Sequence, residues 1–388
     1  MTPKIDVLSP TTPIKPDAVR RSAGPKPGIA LCLSGGGYRA MLFHLGALWR
    51  LNELGLLPKI SRVSSVSGGS IIAGLLGLRW NELDLHASGR ATPADWNHLM
   101  VAPIRALSSH TLDVGSTLGG VLGPGQVGDW IAGAYNKHLF DGATLQDLPD
   151  KPRFVINATN VQSGALWRFM KPYMRDYKVG EVKNPDIELA IAVAASSAFP
   201  PFLSPVVLDL EPSQFTPGSG TLGDEFRNEV VLTDGGVYDN LGVETVWKNF
   251  KTVLVSDGGG QIEPNAHPKL DWARHTADVL SWTDNQVRSL REQQVVDSFQ
   301  TGARQGAFWG IRTNLSHFKL PDALPCPHEQ TLQLAKTATR LKRLDATHQE
   351  RLINWGYAVC DAAMRRYCKA QLPEPVPVAA FPYPGAAV

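Results

Sequence analysis

Apolar residues are densest between Gly28 and Leu78, where two uninterrupted aliphatic runs alternate with two stretches at helical spacing. Ile29, Ala30, Leu31, Cys32 and Leu33 have no polar interruption, the pattern of a strand covered on both faces. Met41, Leu42, Leu45, Leu48, Leu51 and Leu54 then recur with a helical period, predicting a helix over Tyr38–Leu54 that stops at Gly55. Ile60–Val66 again reads as a strand, and Ile71–Leu76 opens a second helix. Downstream, strands are predicted at Phe154–Thr159, Leu166–Phe169, Val230–Thr233, Thr252–Ser256 and Phe308–Ile311. Helices are predicted over Ile187–Ala198, Trp272–Phe299 and Gln330–Lys369, with an exposed loop at Glu211–Asn228.

Proline-rich ends with few large apolar residues frame this pattern. Residues 1–26 predict a flexible lead-in, 27–370 one domain with a helical C-terminal part, and 371–388 an extended tail. Leu112–Trp130 mixes glycines with aliphatics and is either a plain surface loop or a mobile cover that exposes apolar side chains.

The turns of the first two units carry the chemistry. Gly35, Gly36 and Gly37 follow the first strand, and three glycines can turn their amides toward one point at the mouth of a helix, a place suited to an anion. Ser67 follows the second strand within Ser65-Val66-Ser67-Gly68-Gly69, the form of a nucleophile elbow with serine in the first glycine position. Gly35-x-Gly37-x-x-Ala40 also fits a dinucleotide fingerprint, but the second strand ends in Ser64-Ser65-Val66-Ser67, with no acid for a ribose. No Walker loop is present. Far downstream, Asp234-Gly235-Gly236 follows a strand and continues into Val237-Tyr238-Asp239-Asn240, and Asp257-Gly258-Gly259 repeats the same local chemistry.

Taken together, SGGGYRA, SVSGGS, the Ala194–Pro201 segment and the Asp234 turn resemble, in order, the motifs of the patatin-like phospholipases. The resemblance implies a three-layer α/β fold with a central, mostly parallel sheet, and phospholipase A or lysophospholipase activity through a Ser-Asp dyad. On these positions Ser67 is the nucleophile, Asp234 its base, and the amides of Gly35, Gly36 and Gly37 the oxyanion hole. Asp257 competes with Asp234, which alone continues into the family's G-V-x-x-N. Arg39 is expected either to neutralise a phosphate head group or to pair with a core acid. His44 is expected to be structural.

The remaining features narrow the partners. Hydrophobic residues make up 43% of the 388 residues and the formal net charge is +2, so no basic excess points to nucleic acid. Four scattered cysteines fit a reducing, cytoplasmic setting, and without an apolar leader or span, contact with a membrane is expected to be peripheral at most. No zinc or calcium motif appears, and neither metal nor cofactor is expected. The expected partner is a lipid or phospholipid substrate; oligomeric state is left open. Two rivals stand beside this reading: an esterase or acyltransferase acting on a soluble acyl substrate, and a catalytically silent lipid-binding module.

Overall fold

The computed structural model of the protein describes residues 25–112, 126–200, 203–260, 264–268 and 271–388. The lead-in to residue 24 and most of the glycine-rich segment expected as a loop or cover lie outside them. Four parallel pairings join five strands in the order β10-β9-β1-β2-β3: β10 (Gln305–Gly310), β9 (Phe250–Asp257), β1 (Lys26–Leu33), β2 (Ile60–Val66) and β3 (Arg153–Asn160). Beyond β3 the sheet continues antiparallel through β4 (Ala165–Met170), β5 (Tyr173–Asp176) and β6 (Gly180–Lys183).

Alternation along the central strands explains the layers. Leu31 and Leu33 of β1 join a large cluster on one face, whereas Ala30 and Cys32 join a smaller one with Val253 and Val255 of β9 on the other. Both sets are buried, so the strand is aliphatic throughout and helices cover both faces. On the large-cluster face lie α1 (Gly37–Glu53), α2 (Gly68–Leu78) and α7 (Ala346–Tyr367). Helix α1 lies directly against α7, because a Cβ added at Gly46 would overlap the Ile353 carbonyl and one at Gly356 the Phe43 carbonyl. Between them Arg50 is buried and bridges to Asp361 at 2.8 Å. Two further helices flank the antiparallel half, α3 (Gln126–Tyr135) and α4 (Leu189–Ser196), while α5 (Trp272–Gln300) supplies Val295 to the smaller cluster.

Three expectations are amended. The helical stretch expected over Gln330–Lys369 is two helices, α6 (His328–Ala335) and α7, separated by a non-helical link. That link, through Thr337 and Thr339, reaches the site described below. The tail from residue 371 lacks regular structure apart from its first 3₁₀ residue, but it is tied down: Asn354 donates to the Tyr383 and Ala386 carbonyls, both at 2.8 Å, and Arg50 to the Pro377 carbonyl at 2.6 Å. The short strands β5, β6 and β7 (Val206–Asp209) were not anticipated, because four residues give too few alternations to detect.

Candidate active site

One arrangement of three strands brings the two halves of the site together. β2 pairs along β3 from Arg62 opposite Arg153 to Val66 opposite Asn157, and there it ends. β8 (Glu229–Asp234) arrives from the opposite direction on β3 and pairs only with the residues that follow, Asp234 opposite Ala158 and Leu232 opposite Asn160. Two strands thus meet end to end, and their last residues, Val66 and Asp234, stand opposite neighbouring positions of β3. Ser67 continues β2, so it faces Asp234 although 167 positions separate them in the sequence.

The turn at Ser67 is sharp. Its φ of 51° and ψ of −121° lie in a region that L-residues avoid, at a cost of about 1–3 kcal/mol, and Gly68 begins α2 immediately afterwards. A Cβ on Gly68 would overlap the Gly37 carbonyl, and one on Gly69 the Leu33 carbonyl, so the two glycine turns are packed backbone to backbone. Ser196, at the end of α4, supports the elbow from below: its hydroxyl accepts the Ser67 N–H at 3.0 Å and donates to the Asn157 carbonyl at 2.6 Å. Its own carbonyl accepts the Gly235 N–H at 3.2 Å, and the Ala198 carbonyl accepts that of Asp234 at 3.0 Å. The small-residue segment therefore holds both turns at once.

Asp234 is 2% exposed. Burial pushes its carboxyl up to about 7; hydrogen bonds from the Gly236 N–H, at 2.7 Å, and from the Ser67 hydroxyl oppose the rise, while the charge of Asp284 adds to it. A cavity of about 190 Å³ opens over the pair, with Gly36, Arg39 and Asn240 also in its wall.

The glycine turn needs a correction. The Gly35 N–H is taken, donating to the backbone carbonyl of Asn240 at 3.1 Å and to its side-chain Oδ1 at 3.0 Å, and a Cβ there would overlap that same Oδ1. Gly35 is a packing position, not an anion donor. Gly36 and Gly37, with φ of 141° and 60°, keep the backbone freedom that the turn requires, and the described residues offer their amides no acceptor.

Asp257 closes the same kind of turn, accepting the Gly259 N–H at 2.8 Å. However, it ends β9, which lies beyond β1 from β2, so two strand spacings of about 4.8 Å separate it from Ser67, and it does not line the cavity. Arg39 is 2% exposed and does line the cavity, but its donors go to the Gly258 carbonyl at 2.9 Å, the Thr337 carbonyl, and Thr339 Oγ1 at 2.8 Å. Among the described residues it binds no carboxylate; it ties α1 to the link between α6 and α7. His44 is buried between Ser256 Oγ at 2.8 Å and the Ser34 carbonyl at 3.0 Å, and burial lowers it to about 4, so it is a neutral structural group. Among the described residues no histidine lines the cavity.

Sequence reasoning missed Ser196, Asp284 and Arg288, and gave no role to Asn240. Asn240 and Ser196 lie inside motifs it singled out, whereas Asp284 and Arg288 sit in an ordinary amphipathic pattern that gives no local sign.

Against known proteins, a family model described as patatin-like phospholipase matches residues 31–247, more than half of the chain. No curated protein matches in sequence. Among solved structures, human GIVD cytosolic phospholipase A2 is similar at 12% identity and a TM-score of 0.46, covering 89% of this chain; the chain spans 63% of that protein's length. VipD from Legionella pneumophila is similar at 17% identity and a TM-score of 0.29, covering 81% of this chain and 68% of its own. The type III effector protein ExoU is similar at 13% and 0.34, covering 88% of this chain and 54% of its own.

Proposed function

The chain belongs to the patatin-like phospholipase family, and from that premise we propose that it hydrolyses carboxylic esters of lipids with Ser67 as nucleophile and Asp234 as its base. The observation that carries this is the meeting of β2 and β8 on one edge of β3, which sets the Ser67 hydroxyl against a buried carboxyl.

A serine hydroxyl attacks an ester only if a base takes its proton as the new bond forms. Asp234, raised to about 7, is a stronger base than an ordinary aspartate and is still largely ionised in mildly alkaline solution. It takes the Ser67 proton directly. The Gly36 and Gly37 amides hold the negative charge that develops on the carbonyl oxygen, in a water-poor turn where such donors act most strongly. Collapse of the tetrahedral intermediate expels the alcohol, protonated by Asp234, and leaves an acyl group on Ser67. Water, deprotonated by the same carboxylate, then releases the fatty acid.

The strain at Ser67 and the packing of Gly68 and Gly69 support this reading over a simple helix cap, because Ser67 makes no side-chain bond to the first turn of α2. The test is to incubate wild-type protein and Ser67→Ala with a mixed phospholipid extract and identify the products by mass. Fatty acid released by the wild type alone is the expected result. Equal release by both proteins would end this assignment.

A further inference from the structure

Helix α5 brings two charged side chains to the cavity, Asp284, whose charge acts on Asp234 only at a distance, and Arg288. An aspartate and an arginine four positions apart on a helix ordinarily pair. Here they do not. Arg288 is 3% exposed and gives Nη2 to the Gly260 carbonyl at 2.8 Å and to Asn285 Oδ1 at 3.1 Å, while its Nε has no partner among the described residues. Asp284 Oδ1 is buried and has none either. Both atoms are shielded from solvent in the wall of the cavity, so a group that offers an acceptor to one and a donor to the other reaches them as the two side chains turn toward it.

The chemistry of the wall says which part of a substrate fits. Among the described residues, only Phe199 and Ala338 bring purely apolar side chains to it; charged, hydroxyl and amide groups and glycine backbone make up the rest. Such a wall suits the alcohol half of a lipid ester and not its acyl chain. Arg39, the other guanidinium there, is committed to three protein oxygens. A carboxylate beside the remaining guanidinium penalises a purely anionic group and rewards one that also carries a cation.

Resting on the hydrolase reading above, we infer that Asp284 and Arg288 select the head group, and that it is a phosphate ester bearing an amine, with phosphate toward Arg288 and ammonium toward Asp284. Burial pushes the Asp284 carboxyl up to about 6, opposed by Arg288 and reinforced by Asp257, so the aspartate is charged in an assay at pH 8.

The experiment compares kcat/KM for fatty-acid release at pH 8 from phosphatidylethanolamine, phosphatidylglycerol and diacylglycerol in the same mixed micelles. The wild type should favour phosphatidylethanolamine over phosphatidylglycerol by about tenfold, the worth of one charge-assisted hydrogen bond. Asp284→Asn should bring that ratio near one, and Arg288→Gln should lower both phospholipids about tenfold relative to diacylglycerol. A wild type without preference, or variants that depress all three substrates by one factor, would overturn the assignment. Calorimetric titration of wild-type protein with glycerophosphoethanolamine and glycerophosphoglycerol reads the same pair without catalysis or substitution. Tighter binding of the first is expected, and equal affinity refutes the pair even if the protein hydrolyses nothing.

Discussion

The chain closes two strands with the same three residues, Asp234-Gly235-Gly236 after β8 and Asp257-Gly258-Gly259 after β9, and the two turns are built alike. Each carboxylate accepts the N–H two residues on, at 2.7 and 2.8 Å, and each is 2% exposed. Their neighbours differ. β8 stops against the end of β2, so Asp234 meets Ser67, whereas β9 runs beside β1, so Asp257 lies behind the glycine turn and near the guanidinium of Arg39. Local geometry makes a buried carboxylate in both places, and strand order alone decides what it faces.

The largest effect expected is on turnover. Asp234→Asn should lower fatty-acid release by about 10⁴, as losing one member of a catalytic pair does, while Asp257→Asn should cost less than about tenfold. A dead Asp257→Asn beside an active Asp234→Asn would reverse the comparison. Next comes the glycine turn between them: Gly37→Ala, where φ is 60° and a Cβ would lie 2.9 Å from the Arg340 nitrogen, should cost about 10²–10³ in kcat. Smaller again is Asn240→Ala, which removes the side-chain acceptor from the Gly35 N–H and should cost roughly tenfold in kcat/KM.

The pH response separates the turns further. Turnover should rise through about pH 7 as Asp234 loses its proton, and a rate profile without that limb would remove Asp234 as the base. For stability the sign is opposite: a carboxyl raised in the folded state binds its proton more tightly there than in the unfolded chain, so its contribution falls as pH rises from about 4 to about 7. Asp234→Asn should therefore stabilise the protein at pH 8 and lose this advantage near pH 4. Asp257→Asn should destabilise it at pH 8, because a charge that supports the buried Arg39 is lost. Thermal unfolding of both variants at the two pH values checks the opposed signs.

Much of this was legible beforehand where a local pattern is also a structural demand. Ile29–Leu33 is aliphatic because helices cover both faces of β1, and Gly68 and Gly69 are small because carbonyls of the neighbouring turn fill the space a side chain would need. The Gly35 assignment failed for the converse reason. A glycine that donates to a bound anion and a glycine that accommodates Asn240 look the same in sequence, since both lack a side chain for reasons that lie outside the segment. Asp284 and Arg288 were invisible because a charged pair at helical spacing is normally solvated or self-paired, and only the placement of α5 against the cavity distinguishes them.

The sequence by itself determined which turns carry the serine, the two aspartates and the glycines of the candidate site, because backbone angles and side-chain size act over a few residues. Which of two equal aspartates meets Ser67, which glycine amide stays open, and what lines the cavity were decided only by tertiary structure. Those outcomes depend on β3 receiving β2 and β8 on one edge, a pairing between segments too far apart in the chain for any local pattern to encode.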